Sequence, residues 1–454
     1  MKPILEWNAD VVICGAGTAG SVAALAAADA GASVIVIEQF GAAGGSSTIG
    51  LVEPLMSTCV PGQCMNSYLA KEIEQRAAEL GASTGKGAAM FDPLMLSVVL
   101  ECMLSERGVR MLYHTTITGA EYADGQIKAI QVCNKSGNGR VCARKKYIDA
   151  TGDADVCVLA GLPTLHGDDE THKNQPCSLR YMVGGVDLDA FWKFLCSYRH
   201  PDKPPEPRPE QFSGACTLDG GKFFSLDPVF RKAVDAGDLD ANDARYWQFF
   251  TVPGRKDGLA FNCPEFFDIA DITDVENLSM VQVEGKKRIL RYLAFYKKYL
   301  PGFENVYLTS IAGMVGIRES RRAVTEYILT ADDAFGWAKF DDAIAQSNYS
   351  VDVHGKTLRN SALTGKDASR PYYEIPFRCL QVRDASNLLA IGRLVGSEFV
   401  AQSSLRIIPT CRAMGEAAGL AAALDLNDGR AVREEMIRRG ADFHGACREE
   451  NEDD

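Results

Sequence analysis

The sequence predicts an α/β protein with a central parallel sheet, an antiparallel meander and a second, α+β domain. Three observations predict it. Residues 10–38 read as a buried strand, a Gly-rich loop, an Ala-rich helix and a second buried strand that ends in an acid. Residues 117–150 read as three alternating strands joined by turns. Residues 387–426 return with a buried strand and a helix of small residues.

The first unit is the most explicit. Val11–Cys14 is short and apolar, as a strand buried on both faces should be. Gly15, Gly17 and Gly20 follow at GxGxxG spacing. The first glycine allows a tight turn, the second lets backbone approach a pyrophosphate, and the third lets helix press on strand. Thr18 and Ala19 open the helix Thr18–Ala30, which is mostly Ala, with Val22 and Leu25 its larger side chains. Its first-turn amides and dipole face the phosphates. Val34–Ile37 is the second strand, and Glu38, followed by Gln39, ends it. A carboxylate there accepts hydrogen bonds from ribose hydroxyls. A lone GxGxxG is weak evidence, but here all parts of a Rossmann-like unit occur in order. A second Gly-rich loop, Gly44-Gly45-Ser46-Ser47, comes next.

Helices are expected over Asn66–Leu80 and Asp92–Arg107, the latter opened by Asp92-Pro93 as N-cap and first-turn Pro. Val109–His114 reads as a strand. Ile117–Ala123, Gln126–Asn134 and Val141–Ala150 alternate apolar and polar residues and form the meander, which ends in Asp149-Ala-Thr-Gly-Asp-Ala-Asp155. Residues beyond 160 mix strand candidates such as Ser178–Val186 with helices such as Glu284–Tyr299. The Pro-rich stretch Pro201–Pro209 is a surface loop. From about Ile311 a helical stretch is expected, then the strand Asn387–Gly392 and the helix Cys411–Leu426. The expected domains are 1–160 (cofactor domain, first part), 161–375 (substrate or cap domain), 376–447 (cofactor domain, returning part) and a disordered acidic tail, 448–454.

A chain of 454 residues has room for two or three domains. Its net charge of −12 leaves no basic footprint for nucleic acid or an anionic membrane. The glycines and Asp29 argue against a membrane span over residues 11–37, and Glu6 and Asp10 spoil the basic flank of a signal peptide. The 14 cysteines lack a CxxC pair, which suits reduced thiols and a cytoplasmic location. A redox disulfide at Cys59-x4-Cys64 is the minor reading there.

There is one complete fingerprint. It holds either NAD or FAD. Its place at the start of the chain, the Gly44-Gly45 loop and the returning helix favour FAD. The chain resembles the FAD-dependent oxidoreductases of the two-dinucleotide-binding-domain flavoprotein superfamily, the fumarate reductase-like group, in a bacterial branch. The resemblance rests on Gly15–Gly20 with Glu38, Gly44–Ser46, Asp149–Asp155, Gly316-Ile-Arg-Glu-Ser-Arg-Arg322, Asn387–Arg393 and Ser404–Thr410 through Gly415–Gly419. It implies that Asp153, Gly392 and Arg393 lie by the cofactor. It also implies that Met414 and Gly415 bring helix amides to the pyrimidine end of the flavin. The plainer readings are Asp153 as the cap of a helix starting at Ala154, and Gly415 as close packing.

Flavin chemistry needs a substrate carbon at N5 and a proton donor or acceptor nearby. His354, two residues after Asp352, is the best candidate, with a loop histidine as the plainer reading. Arg318, Arg321 and Arg322 are expected on one helix, with Arg318 and Arg322 sharing a face able to grip a carboxylate. Ordinary surface pairs such as Glu319 with Arg322 compete with that reading. Arg378, Arg393 and Arg406 are further candidates to face substrate. His166 and His172, flanking Asp168, Asp169 and Glu170, look like a metal cluster but read better as a solvated loop. The expected activity is hydride transfer between flavin N5 and a small polar or anionic metabolite, with an electron partner the sequence does not name. The rivals are an NAD-dependent dehydrogenase, and a flavoprotein whose flavin is structural or which modifies RNA.

Overall fold

The computed structural model describes residues 5–444 apart from 64, 85–89, 200–201, 217–225 and 355–361. Cys64, part of the loop at Pro201 and the acidic tail therefore lie outside the described residues. The central sheet contains β1 (Leu5–Cys14), β2 (Val34–Ile37), β3 (Arg110–Leu112), β4 (Thr116–Ala123), β5 (Gln126–Asn134) and β6 (Gly137–Asp149), in the order β3-β2-β1-β6-β5-β4. β1, β2, β3 and β6 run parallel, and β4 and β5 add the antiparallel meander. β6 joins the two parts. Its start pairs with β5, and its end, Tyr147–Asp149, pairs with the returning strand Leu388–Ala390.

Strand period sorts the core. Val11, Ile13, Val34 and Val36 face one layer, where α1 (Thr18–Asp29), α2 (Tyr68–Glu79), α3 (Pro93–Glu106) and the helix Ile408–Leu424 pack. Val12, Cys14, Ile35 and Ile37 face the other layer, with Ile130, Val141, Val156 and Leu388. Asp92 does cap α3, accepting from the amides of Leu94 and Met95.

The last long helix begins at Ile408, earlier than the expected Cys411. It lies against α1 with no room for side chains between them. A Cβ on Gly415 would stand 2.3 Å from the Ala19 carbonyl oxygen, and one on Gly419 2.3 Å from that of Ala23. Gly415 is thus a packing residue, and the plainer reading wins for it.

A second core forms around a five-stranded antiparallel sheet built from Tyr181–Gly184, Ser213–Cys216, Trp247–Thr251, Leu259–Phe261 and Tyr307–Ile311. The helices Leu188–Arg199, Asp227–Asp235 and Val275–Tyr299 cover one face, with Trp247, Phe249, Phe261 and Tyr296 buried between. The opposite face carries Gln248 and Phe250 into a cleft.

Two expectations fail here. The stretch after Ile311 is largely not helical: Arg321–Ala323 is a strand paired with Thr164–His166, Ala343–Ser347 pairs with Tyr373–Pro376, and only the short helix Ala331–Gly336 lies between. Leu329, Ile344, Ile375 and their neighbours pack into the α1 layer and not into the second core. The segment expected as one cap domain, 161–375, thus divides by packing near residue 320. Among the described residues no helix is long and apolar enough to cross a membrane.

Two tests follow from this packing. Gly415→Val should lower stability by about 3 kcal/mol, read as a fall in Tm, because the helix must back away from α1. Glu416, on the same helix, is buried, accepts from Ser67 Oγ and the Leu69 amide, and is pushed up to about 8 by burial. Its folded pKa exceeds the unfolded value. Its contribution is therefore full below about pH 4.5 and is lost as pH rises through about 8. Glu416→Gln should flatten that loss and stabilise the protein at pH 9 by a few kcal/mol, to order of magnitude, in chemical denaturation.

Candidate active site

A cleft of about 1040 Å³ runs from the Gly-rich loop to the second sheet. At its first end β1 delivers Gly15 at φ +98, where a Cβ would stand 2.5 Å from the Ala150 carbonyl oxygen. A Cβ on Gly20 would meet the Gly15 oxygen at 2.0 Å, so this glycine closes helix onto loop and does not line the cleft. Gly44 also stays behind the wall: it bridges to Gly17 and donates to the Ala16 carbonyl. That places Gly45 and Ser46 beside Gly17, Thr18 and Ala19 on the cleft surface. Glu38 and Gln39 line the same end. Glu38 Oε2 accepts from the Ala16 amide and Oε1 from the Phe40 amide, both at 2.8 Å. The carboxylate clamps the loops on either side of it. Burial raises its pKa against those bonds.

Gly392, at φ +79, and Arg393 line the middle of the cleft with Gly152 and Asp155. Asp153 does not reach the cleft surface. It accepts from Arg393 Nη2 at 2.9 Å and from Ser320 Oγ, and so holds the Arg393 guanidinium in place over Gly152. Nor does Asp153 cap the helix Asp155–Leu159. That task falls to buried Asp149, whose Oδ2 accepts from the Val156 and Cys157 amides. Met414 is likewise off the cleft. The helix contributes Ile407, Ile408 and Cys411 instead, because it begins at Ile408. Its N-cap has no side-chain hydrogen bond, so first-turn amides are left for whatever lies in the cleft.

The far end holds a row of charges. Arg318 Nη2 and His354 Nδ1 each lie 2.8 Å from Glu265 Oε1. His354 Nε2 lies 3.6 Å from Asp352 Oδ2, and Arg406 Nη2 stands 3.6 Å from the same oxygen. Burial pushes Glu265 up, but Arg318 and His354 outweigh it and hold the carboxyl below its usual range. Asp352 is held low against burial in the same way, by His354, Arg406 and Arg318. Tyr246 stands edge-on to the imidazole, with ring centroids 5.3 Å apart.

The expected arginine helix is overturned. In place of a helix at 318–322 there is a bend at Arg318 and a strand from Arg321, and the three side chains point apart. Arg318 enters the cleft, Arg321 lines its wall and pairs with Asp155, and Arg322 turns inward. Arg322 is buried against Glu319, the Gly167 carbonyl and the Ser397 carbonyl, and is structural. Its pair with Glu319 is a buried one and not a surface one. Arg378 lies on the surface with Asp342, away from the cleft. His172 is exposed, His166 lies 3.8 Å from Asp271, and Asp168 is buried and turns back on the Glu170 and Thr171 amides.

Sequence reasoning missed Glu265, Arg180, Tyr246 and Asn262. The one local signal was polar Gln248 between Trp247 and Phe249, which marks a strand with a wet face.

The FAD dependent oxidoreductase family matches residues 10–439. The chain belongs to that family. FAD is its cofactor and it is an oxidoreductase, which sets aside NAD for the fingerprint. No curated protein matches the chain. Among solved structures, it is similar to a myxobacterial chondrochloren halogenase (13% identity, 95% of this chain and 79% of that one, TM-score 0.47). It is also similar to the L-proline dehydrogenase of P. horikoshii (10% identity, 95% and 99%, TM-score 0.42). The flavin-dependent brominase Bmp2, as a triple mutant, matches at 11% identity over 95% and 84%, with a TM-score of 0.48.

Glu265 is buried and stands beside both His354 and Arg318. Glu265→Gln should leave FAD content unchanged. It should lower Tm, because removing one partner of a buried ion pair leaves its cation uncompensated.

Proposed function

We propose that the enzyme transfers a hydride between FAD and a small polar or anionic metabolite held at the far end of the cleft. The row Arg318–Glu265–His354–Asp352–Arg406 carries this reading. The residues present fit the cofactor. In the proposal, Gly15, Gly17, Thr18, Ala19, Gly45 and Ser46 take the pyrophosphate side and Glu38 with Gln39 the ribose side. Gly392, Arg393 and the free amides after Ile407 take the ring side. Bound FAD supplies the N5 centre that accepts or gives the hydride.

The chain's own residues supply the rest. Glu265 Oε1 stands 2.8 Å from Nδ1 of His354, which leaves Nε2 as the atom to take or return the substrate proton. Arg406 donates to the Asp352 carbonyl at 3.0 Å and steadies the His354 loop. A base set between carboxylates favours oxidation of a C–OH or C–N centre. Kinship with the fumarate reductase-like group, part of the same proposal, favours reduction of an activated C=C. The thiols whose side chains are described are free, which supports a cytoplasmic location.

The reading is tested by anaerobic metabolite screening with flavin bleaching at about 450 nm as the readout. One small anionic metabolite should bleach the ring. His354→Gln should then lower kcat by roughly 10²–10⁴-fold with FAD still bound. Unchanged kcat in that variant would remove His354 from the chemistry.

A further inference from the structure

The charges at the far end do not balance. Arg318 is compensated by Glu265, and Arg406 is shared with Asp352. Arg180 is 5% exposed, lines the cleft from the second sheet, and has no ion-pair partner among the described residues. Its one hydrogen bond there runs from Nη1 to the Leu51 carbonyl at 3.2 Å. The acid whose charge is felt at Arg180 is Glu53, which is fully buried with neither carboxylate oxygen hydrogen-bonded. Its carboxyl makes no hydrogen bond or ion pair with Arg180, and burial favours its uncharged form. The same burial pulls Arg180 down only to about 10, so it keeps its charge at neutral pH. A buried guanidinium without a counter-ion is costly. A ligand that brings the missing charge removes that cost.

We propose that Arg180 is the anchor for a single carboxylate of the substrate. This rests on the hydride-transfer reading above and narrows its substrate to a monoanionic carboxylate group set against the second sheet. The guanidinium fork fits a planar carboxylate in two bonds. The surroundings supply the rest of a binding surface. Phe250 lies beside the guanidinium, 6.0 Å from ring centroid to Cζ, and offers an apolar wall. Asn262 donates to the Tyr246 hydroxyl at 2.9 Å, and that hydroxyl donates to Gln248 Oε1 at 2.7 Å. This closed network fixes the floor on which a substrate rests without itself supplying a charge.

The test is calorimetric titration of the oxidised, FAD-loaded enzyme with acetate and benzoate, and with acetamide and benzamide as their uncharged counterparts. The carboxylates should bind saturably and at least tenfold more tightly than the amides. Arg180→Met should weaken carboxylate binding at least tenfold and Arg180→Lys by less, with FAD content unchanged. Absence of carboxylate binding by the unaltered enzyme, equal binding of amides, or carboxylate affinity within twofold in Arg180→Met overturns the proposal. So does a change confined to the flavin reduction potential, which would assign the charge to the reduced ring. If Arg180→Met does not retain FAD, Arg180→Lys and the carboxylate–amide comparison decide. Carboxylate binding through Arg180 in an enzyme whose flavin no metabolite bleaches would leave this inference standing and remove the hydride-transfer reading.

Discussion

Gly415 and Gly419 press on the carbonyl oxygens of Ala19 and Ala23, and this contact brings the last long helix of the chain against the first. Both helices are nearly all small residues, so their backbones meet where side chains would normally intervene. The cleft depends on that approach. It sets the start of the last helix, with Ile407, Ile408 and Cys411, along the same cleft that Gly15–Ala19 open. The two ends of the chain thus make one binding surface. The Gly44–Gly17 bridge and the Glu38 clamp are smaller versions of the same device, in which backbone is held against backbone to leave a channel.

Charge is handled differently at the two ends. Near the fingerprint, donors are backbone amides and the acids are few. At the far end full charges alternate, each beside one of opposite sign. Glu265 accepts this place because two cations face it, and Asp352 because three do. Such alternation gives each buried charge a counter-charge, which a single buried charge lacks. Arg180 breaks the alternation.

The resemblance to known flavoenzymes was legible because the fingerprint is local. Strand, loop, helix, strand and acid follow one another within 10–38, and each step has its own propensity and spacing. The meander, the Asp92 cap and the returning helix were legible for the same reason. Arg322 and Met414 misled because residue type was visible and direction was not. No helix aligns Arg318 with Arg322: Arg318 sits at a bend, and Arg322 lies in the short strand Arg321–Ala323. Met414 lies two turns inside a helix whose start had been placed too late.

The sequence by itself determined the cofactor end, since a phosphate loop is made by backbone conformation that glycine spacing specifies over a few residues. It also determined which strands have one wet face, since period 2 is read from neighbours. Tertiary structure alone decided the reacting end. Glu265, His354, Arg180 and Arg406 come from four distant segments, and none is marked by its own neighbours. Whether a carboxylate is a partner, a clamp or a neutral buried group depends on which charges the fold brings within a few ångströms of it. No local pattern records those charges.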